Sequence, residues 1–477
     1  MQYKKLWAPS AGRLEHSRMN DFMEHVNGRF GSSISDYNEL YKWSVDNPAD
    51  FWGAFWYYSG IKYSEDYTMV VDNPKKMPGA KWFEGAKLNF AENLLSRRDN
   101  KTAIIFRGEA ELERRMSYAE LYDQAHRVAE ALRKTGVRKG DRVAGFIPNM
   151  PEAIIAMLGA ASIGAIWSSS SPDFGIKGVL DRFSQIEPKV VFAADGYYYK
   201  GKVFDSQEKL KGILDQLPSV EKVVLINYTN TVNTSLVPNA VTWEEFAEPA
   251  VGEMRFEALP FDHPLYIMYS SGTTGLPKSI VHSAGGTLIQ HLKELMLHGN
   301  LHEEDTIFYF TTCGWMMWNW FISSLAVGST IVCYDGNPFH PGPDALLHMA
   351  RELDVTIFGT SAKYIASLEN AGVIPKNICG FPALKAILST GSPLSNESFE
   401  YVYRDWKEDV QLSSIAGGTD IISCFMLGNP MLPVYMGEIQ CRGLGMDVDS
   451  FDDYGQSIVG SQGELVCKTA FPSMPVY

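Results

Sequence analysis

The sequence predicts an α/β protein of two α/β subdomains with mainly parallel sheets, followed by a small β-rich subdomain. Three observations lead to this fold class. Short apolar runs alternate with helical patterns from about residue 101 onward, and the alternation falls into two series. From about residue 434, glycines interrupt short apolar runs. Alternating strands and helices favour parallel sheets, whereas closely spaced glycines between short strands are typical of β-rich structure.

The helices of the first series have recognisable starts and stops. Ser117 and Glu120 form a capping-box pair, apolar residues follow at helical spacing, and Gly136 provides a stop. Pro151 suits the first turn of the next helix. The predicted strands are 143–147, 189–194 and 222–226 in the first series, and 265–269, 306–310, 330–334, 356–359 and 386–389 in the second.

These patterns divide the chain into three predicted parts. Residues 1–100 form an aromatic-rich N-terminal extension, in which residues such as Trp52 and Trp56 are expected to pack an extension onto a larger domain. Residues 101–433 form the core of two α/β subdomains. Residues 434–477 begin the β-rich subdomain.

The composition argues against several partners and compartments. The chain has 42 basic and 56 acidic residues and a net charge of −14, so neither nucleic acid nor an acidic membrane surface is an expected partner. Its longest apolar stretch, residues 154–167, is interrupted by Gly and Ser and is too short to span a bilayer. The six cysteines form no C-x-x-C pair, which predicts a reducing, cytoplasmic setting.

The most informative segment is residues 269–278, Tyr-Ser-Ser-Gly-Thr-Thr-Gly-Leu-Pro-Lys, directly after an apolar run. Glycines let a backbone approach a phosphate closely, hydroxyls add donors, and a lysine adds a positive charge. The spacing of Gly272 and Lys278 also fits a P-loop, but Pro277 stands in place of the second glycine. Proline offers no N–H to a phosphate, so a P-loop is disfavoured.

The same segment resembles the signature loop of the acyl-adenylate-forming superfamily, [ST]-[SG]-G-[ST]-T-G-x-P-K-[GS], and meets every position of it. The superfamily includes acyl-CoA synthetases, luciferases and peptide-synthetase adenylation domains. The resemblance implies that this loop holds the ATP phosphates through Ser270, Ser271, Gly272, Thr273, Thr274, Gly275 and Lys278.

Two further segments follow the second series of strands and resemble superfamily motifs. Ala-Gly-Gly-Thr-Asp at 416–420 is similar to the Y-x-x-T-E motif, which implies that Thr419 meets the α-phosphate and Asp420 helps to hold Mg²⁺. The resemblance therefore implies that Thr419, Asp420 and Lys278 are catalytic. The turn at 391–393 resembles the one that lies against the adenine, which implies contacts from Gly391, Ser392 and Pro393.

The acyl pocket is expected at Trp315, Met317 and Gly417. Gly314-Trp315 resembles the Gly-Trp pair of acetyl-CoA synthetases, whose Trp lines the acyl site. Gly417 stands where those enzymes carry another Trp, so the resemblance implies a pocket larger than acetate needs.

Residues 81–93, with their Phe-Ala-Glu-Asn ending, resemble the extension of acetyl-, propionyl- and acetoacetyl-CoA synthetases. Taken together with residues 194–202 and 390–393, this segment resembles the acetoacetyl-CoA synthetases most. The resemblance implies an AMP-forming ligase that uses ATP, Mg²⁺ and coenzyme A, with acetoacetate as the acid. Propionate, butyrate or hydroxybutyrate, a silent nucleotide-binding module, and a luciferase-type domain that does not use CoA remain alternatives; the N-terminal extension and Gly417 disfavour the last.

The superfamily's ribose-binding Asp and its small C-terminal lid domain, with a Lys used in adenylation, are not found in this sequence. We therefore expect the chain alone to be weakly active or inactive, with the lid domain of the same enzyme as its missing partner.

Overall fold

The computed structural model describes residues 4–109, 112–270, 275–378 and 380–477. Two seven-stranded sheets form its framework. This confirms the predicted fold class of two α/β subdomains with mainly parallel sheets. Within the described residues, no helix combines the length and hydrophobicity needed to cross a membrane.

The first sheet is parallel except at one edge, where its last two strands form an antiparallel pair. The helices along this part of the chain include Tyr118–Lys134, Pro151–Ser162, Ile176–Ile186 and Gln207–Leu214. The predicted capping box of Ser117 and Glu120 is present at the start of the first of these helices. In spatial order its strands are Ala240–Thr242, Lys222–Ile226, Val190–Ala194, Arg142–Phe146, Ile166–Ser170, Pro264–Ser270 and Lys278–Ser283.

The second sheet is likewise parallel except for its last strand. Its strands, in spatial order, are Gln411–Ser414, Ala386–Thr390, Ile357–Ser361, Thr306–Tyr309, Thr330–Asp335, Thr102–Gly108 and Glu113–Ser117. The associated helices are Met316–Ile322, Ala345–Glu352, Ala362–Asn370, Pro375–Ile378 and Asn396–Tyr401. The predicted strands fall within one or two residues of those observed.

One long helix links the two sheets. Ala284–Leu292 is α-helical and continues without a break as a π-helical segment, Lys293–His298. All residues of both segments are buried. The segment therefore lies in the interior, where its polar side chains need partners.

The predicted N-terminal extension is mainly helical, and its aromatic side chains pack on the core. Its helices are Ala11–Glu15, Arg18–Phe30, Tyr37–Asp46, Pro48–Tyr58 and Phe90–Leu94, with short strands at Lys5–Trp7, Met69–Val71, Trp82–Glu84 and Lys87–Leu88. Trp52 and Trp56 are fully buried. Tyr41 donates its hydroxyl hydrogen to the Met446 carbonyl oxygen at 2.9 Å, so the extension also contacts the part of the chain from residue 434 onward.

Short antiparallel strands fill the last part of the chain. Ala416–Gly418, Ser423–Leu427 and Cys441–Arg442 form one small sheet, and Val448–Phe451 pairs with Glu464–Cys467. The first of these sheets begins before residue 434 and places a hairpin directly after the second large sheet.

Candidate active site

The loop that the sequence assigns to phosphate binding joins the two antiparallel edge strands of the first sheet. Ser270 at the end of one strand lies opposite Lys278 at the start of the other. Residues 271–274, which include Ser271, Gly272, Thr273 and Thr274, lie outside the described residues. The Lys278 side chain and Gly275 are exposed. The second arm of the loop is therefore accessible to a ligand, and Ser270 at the end of the first arm is partly exposed.

A helix of the first sheet holds the second arm of this loop. Gln185 donates from Nε2 to the Pro277 carbonyl oxygen at 2.9 Å, and its Oε1 accepts from the Ser279 hydroxyl at 2.9 Å. Gln185 belongs to helix Ile176–Ile186, so the loop arm is fixed to a rigid element.

Thr419 and Asp420 lie in the turn of a hairpin that follows the second sheet. Strand Ala416–Gly418 pairs with Ser423–Leu427 across this turn. Thr419 is partly exposed and Asp420 is exposed. The hydroxyl and the carboxylate are thus available for a phosphate and a cation.

Two buried histidines bind this hairpin to the first sheet and to the long helix that links the two sheets. His282, four residues beyond Lys278 on the same strand, donates from Nε2 to the Thr419 carbonyl oxygen at 2.8 Å. His291 donates from Nε2 to the Ile422 carbonyl oxygen at 2.6 Å. Burial lowers the pKa of His282 to about 4 and that of His291 to about 3, so both rings are neutral near pH 7. The strand that begins at Lys278 therefore also positions the turn that carries Thr419.

The turn assigned to adenine lies next to this hairpin. Gly391, Ser392 and Pro393 are exposed after strand Ala386–Thr390, and Gly391 has a φ of +88°, which favours glycine. The neighbouring strand reaches Ile415, whose N–H donates to the Ser389 carbonyl oxygen at 2.9 Å. The two motifs therefore leave adjacent strands at the same, carboxyl edge of the sheet, where ligands bind in open α/β sheets.

The segment assigned to the acyl pocket lies between the two sheets. The Cys313 carbonyl oxygen accepts a hydrogen bond of 2.7 Å from the Ser169 hydroxyl at the end of a first-sheet strand. Trp315 is 65% exposed although it begins a buried helix, and Met317 is partly buried. An exposed tryptophan at the start of a helix that is buried from Trp318 onward is consistent with a ligand-facing position.

Gly417 has a tighter environment than its predicted pocket role suggests. A Cβ added there would lie 2.1 Å from the Ser423 carbonyl oxygen, on the paired strand of the hairpin. Any side chain at 417 would displace backbone, so replacing this glycine with tryptophan would test more than the size of a pocket. The assignment of Gly417 to the acyl pocket stays a prediction.

The described residues contain no group of three His, Cys, Asp or Glu side chains that could hold a metal ion by themselves. Mg²⁺ commonly keeps several waters and uses only one or two carboxylates together with substrate phosphates. The single exposed carboxylate of Asp420 fits that kind of site.

A cavity of about 970 Å³ lies elsewhere, lined by residues that include Arg13, Arg18, Lys385 and Gln411. Lys385 and Gln411 stand at the amino ends of second-sheet strands, opposite the edge from which the motifs emerge. The candidate site at the carboxyl edge stays a prediction, and the exposed Gly391, Ser392, Pro393 and Asp420 at that edge are compatible with it.

Comparisons with known proteins agree with the fold and the motifs. The AMP-binding enzyme family matches residues 90–477, and the acetyl-coenzyme A synthetase N-terminus family matches residues 37–94. Acetoacetyl-CoA synthetase of Gallus gallus is 48% identical, over 100% of this chain and 73% of its own length. That of Rhizobium meliloti is 48% identical, over 99% of this chain and 73% of its own length.

Two other relatives extend the comparison. A malonamoyl-CoA synthetase of Penicillium aethiopicum is 39% identical, over 97% of this chain and 68% of its own length. The solved acetoacetyl-CoA synthetase from Streptomyces lividans superposes with a TM-score of 0.95 at 40% identity, covering 99% of this chain and 73% of that one.

Proposed function

The chain belongs to the AMP-binding enzyme family, and from that premise we propose that it ligates acetoacetate to coenzyme A with conversion of ATP to AMP and pyrophosphate. The relatives named acetoacetyl-CoA synthetase match this chain from end to end at 46–49% identity, which supports this acid over other short acids. The match of residues 37–94 to the acetyl-coenzyme A synthetase N-terminus family disfavours the alternative of a luciferase-type domain.

The observation that carries the proposal is the hydrogen bond between His282 and Thr419. It couples the strand that begins at Lys278 to the turn of Thr419 and Asp420. Two motifs of the resemblance, 141 positions apart in the sequence (278 and 419), are thereby fixed to one another. A shared site for the phosphates of one nucleotide needs this arrangement.

In the proposed first step, a carboxylate oxygen of the acid forms a bond to the α-phosphorus of ATP, and the bond from that phosphorus to pyrophosphate breaks. The acid is already an anion, so no general base is required. The task of the protein is to position the reactants and to neutralise developing charge. The loop from Ser270 to Lys278 would hold the β- and γ-phosphates, and the Thr419 hydroxyl would donate to the α-phosphate.

Asp420 would hold Mg²⁺, which supplies charge neutralisation at the phosphates when bound. In the second step, the CoA sulfur forms a bond to the acyl carbon, the bond from that carbon to the phosphate oxygen breaks, and AMP leaves with its electron pair. The thiol proton is released to solvent. Gly391, Ser392 and Pro393 would hold the adenine in both steps. Trp315, Met317 and Gly417 would enclose the acyl group.

We also propose the predicted domain boundaries: an extension at 1–100, an adenylation core at 101–433 and the start of a β-rich subdomain at 434–477. The five cysteines within the described residues are free, which is compatible with the proposed cytoplasmic location.

The test is pyrophosphate release by the protein at its full natural length, with ATP, Mg²⁺ and CoA, across a panel of acids. Acetate, propionate, butyrate, 3-hydroxybutyrate, acetoacetate and malonamate separate chain length from recognition of the 3-oxo group. We expect the highest kcat/KM with acetoacetate. Malonamate carries an amide NH₂ where acetoacetate has a methyl group, so a preference for it would redirect the proposal to the activity named for the Penicillium relative. If no acid of the panel leads to pyrophosphate release, the ligase function is contradicted.

A further inference from the structure

Two buried charged residues, Lys293 and Glu294, have no role in the proposed reaction. They begin the π-helical segment Lys293–His298, and the side chains of both are completely inaccessible to solvent. π-Helical turns are rare and often occur at functional sites. Burying two charges is costly unless hydrogen bonds satisfy them, so the partners of this pair indicate its purpose.

The Glu294 carboxylate accepts hydrogen bonds from four donors. Oε1 accepts from Gln290 Nε2 at 3.1 Å, from the Cys424 backbone N–H at 3.1 Å and from Lys293 Nζ at 3.4 Å. Oε2 accepts from Trp320 Nε1 at 2.8 Å. Gln290 and Lys293 belong to the same helical run as Glu294, but Cys424 and Trp320 come from two other elements.

Each of these two distant partners belongs to an element of the candidate active site. Trp320 lies on helix Met316–Ile322, at whose start Trp315 stands. Cys424 lies directly opposite Gly417 in the hairpin that carries Thr419. One buried carboxylate therefore fixes the helix behind one wall of the candidate acyl pocket to the strand behind the other.

We propose that Glu294 is a positioning residue that sets the distance between these two walls and thereby selects the acid. This inference rests on the proposed function, because it assigns the walls to the same acyl pocket. Glu294 does not touch the acid itself. It acts through Trp320 on one side and Cys424 on the other, and its charge strengthens both bonds.

The test compares Glu294→Gln and Trp320→Phe with the wild type in the pyrophosphate-release assay. The Glu294→Gln amide keeps the size of the carboxylate but presents an NH₂ to a site filled with donors. Trp320→Phe removes only one bond and leaves the buried ion pair intact. We expect both variants to lower kcat/KM for acetoacetate relative to acetate by about tenfold, because a displaced wall misplaces the larger acid more than the smaller one. In Trp320→Phe the KM for ATP should change by less than about twofold, because the bond from the Cys424 N–H to Glu294, which holds the hairpin of Thr419, is kept.

Asp305→Asn is the matched control. Asp305 is also buried and also accepts from a lysine and a backbone N–H, Lys385 Nζ at 2.7 Å and the His302 N–H at 2.8 Å. It precedes strand Thr306–Tyr309, at the amino edge opposite the candidate site. Its substitution should lower stability and leave the ratio between the two acids unchanged.

The outcomes separate this inference from the proposed function. If none of the acids leads to pyrophosphate release by the wild-type enzyme, the proposed function is contradicted. An active wild type whose Trp320→Phe variant folds and keeps the acetoacetate-to-acetate ratio would overturn the role of Glu294. The role would equally be overturned if Asp305→Asn shifted the ratio as much as Trp320→Phe does.

Discussion

The imidazole of His282 donates a 2.8 Å hydrogen bond to the Thr419 carbonyl oxygen across 137 residues of sequence. His282 is fully buried and stands four residues after Lys278 on an edge strand of the first sheet. Because the acceptor is a carbonyl, the ring nitrogen Nε2 must carry the proton. The bond thus fixes both the turn of Thr419 and the tautomer of the histidine.

We expect His282→Ala to raise the KM for ATP and to lower kcat together. Loss of the bond leaves the Thr419 carbonyl with only the Ile422 N–H at 3.3 Å and frees the turn to move. A small displacement of a positioning group can cost about a hundredfold in rate. The measurement is steady-state pyrophosphate release at varied ATP concentrations.

His126→Ala is the control for this substitution. His126 is also buried, but it lies on helix Tyr118–Lys134. Its removal should lower the free energy of unfolding without changing the KM for ATP. Equal effects of both substitutions on that KM would contradict a positioning role for His282.

The stability of the protein should fall steeply below about pH 6.5. Burial lowers the pKa of His282 to about 4 and those of His291 and His298 to about 3, whereas an unfolded histidine has a pKa of about 6.5. Above pH 6.5 these histidine rings are neutral in both the folded and the unfolded state. As the pH falls from 6.5 toward 4, the unfolded chain binds protons that the folded chain excludes, so the free energy of unfolding decreases by about 1.4 kcal/mol per pH unit for each histidine.

His298→Gln should remove one third of this histidine contribution. His298 Nδ1 donates to the Gly428 carbonyl oxygen at 2.9 Å and Nε2 accepts from the Leu444 N–H at 3.2 Å, a pair of bonds that only the neutral ring can make. The glutamine amide retains a donor and an acceptor but does not titrate. Urea unfolding at pH 7, 6 and 5 measures the slope, and an identical slope in the variant would show that His298 does not contribute.

Local patterns predicted the regular elements well because their causes are local. The capping box at Ser117 and Glu120 and strand Lys222–Ile226 depend on neighbours in sequence, and both are observed. The π-helical continuation through Lys293–His298 was not predicted, since its polar residues are satisfied by partners such as Cys424, 130 positions away. The available signal was the four polar residues at 290, 291, 293 and 294 within an otherwise mainly apolar helix.

In the candidate site, too, the features with local causes could be predicted and those with distant partners could not. The motif residues could be selected from the sequence, but the groups that hold them could not, because His282, His291 and Glu294 have partners from other parts of the chain. The interpretation of Gly417 illustrates the limit. The sequence indicates an absent side chain, whereas the structure adds that the paired backbone leaves no space for one.

Gly417→Ala should therefore destabilise the hairpin and Gly418→Ala should not. A Cβ at 417 would lie 2.1 Å from the Ser423 carbonyl oxygen, whereas at 418 the nearest atom is 3.8 Å away, on the Asp420 carboxylate. Overpacking of this kind costs about 1–3 kcal/mol. Thermal unfolding of the two variants beside the wild type measures the difference, and equal stabilities would mean that the strands can separate at little cost.

Trp315→Ala should raise the KM for the acid by about tenfold while leaving the free energy of unfolding within about 0.5 kcal/mol of the wild type. The reason is that Trp315 is 65% exposed, so its indole stabilises the fold little, whereas its place at the start of helix Met316–Ile322 puts it beside the candidate acyl pocket. Tyr454→Ala is the control, since Tyr454 is 87% exposed and lies between strands Val448–Phe451 and Glu464–Cys467. It should change neither quantity. A Trp315→Ala enzyme with the wild-type KM for every acid of the panel would remove this tryptophan from the pocket, whereas a large loss of stability would assign it to the packing of the helix.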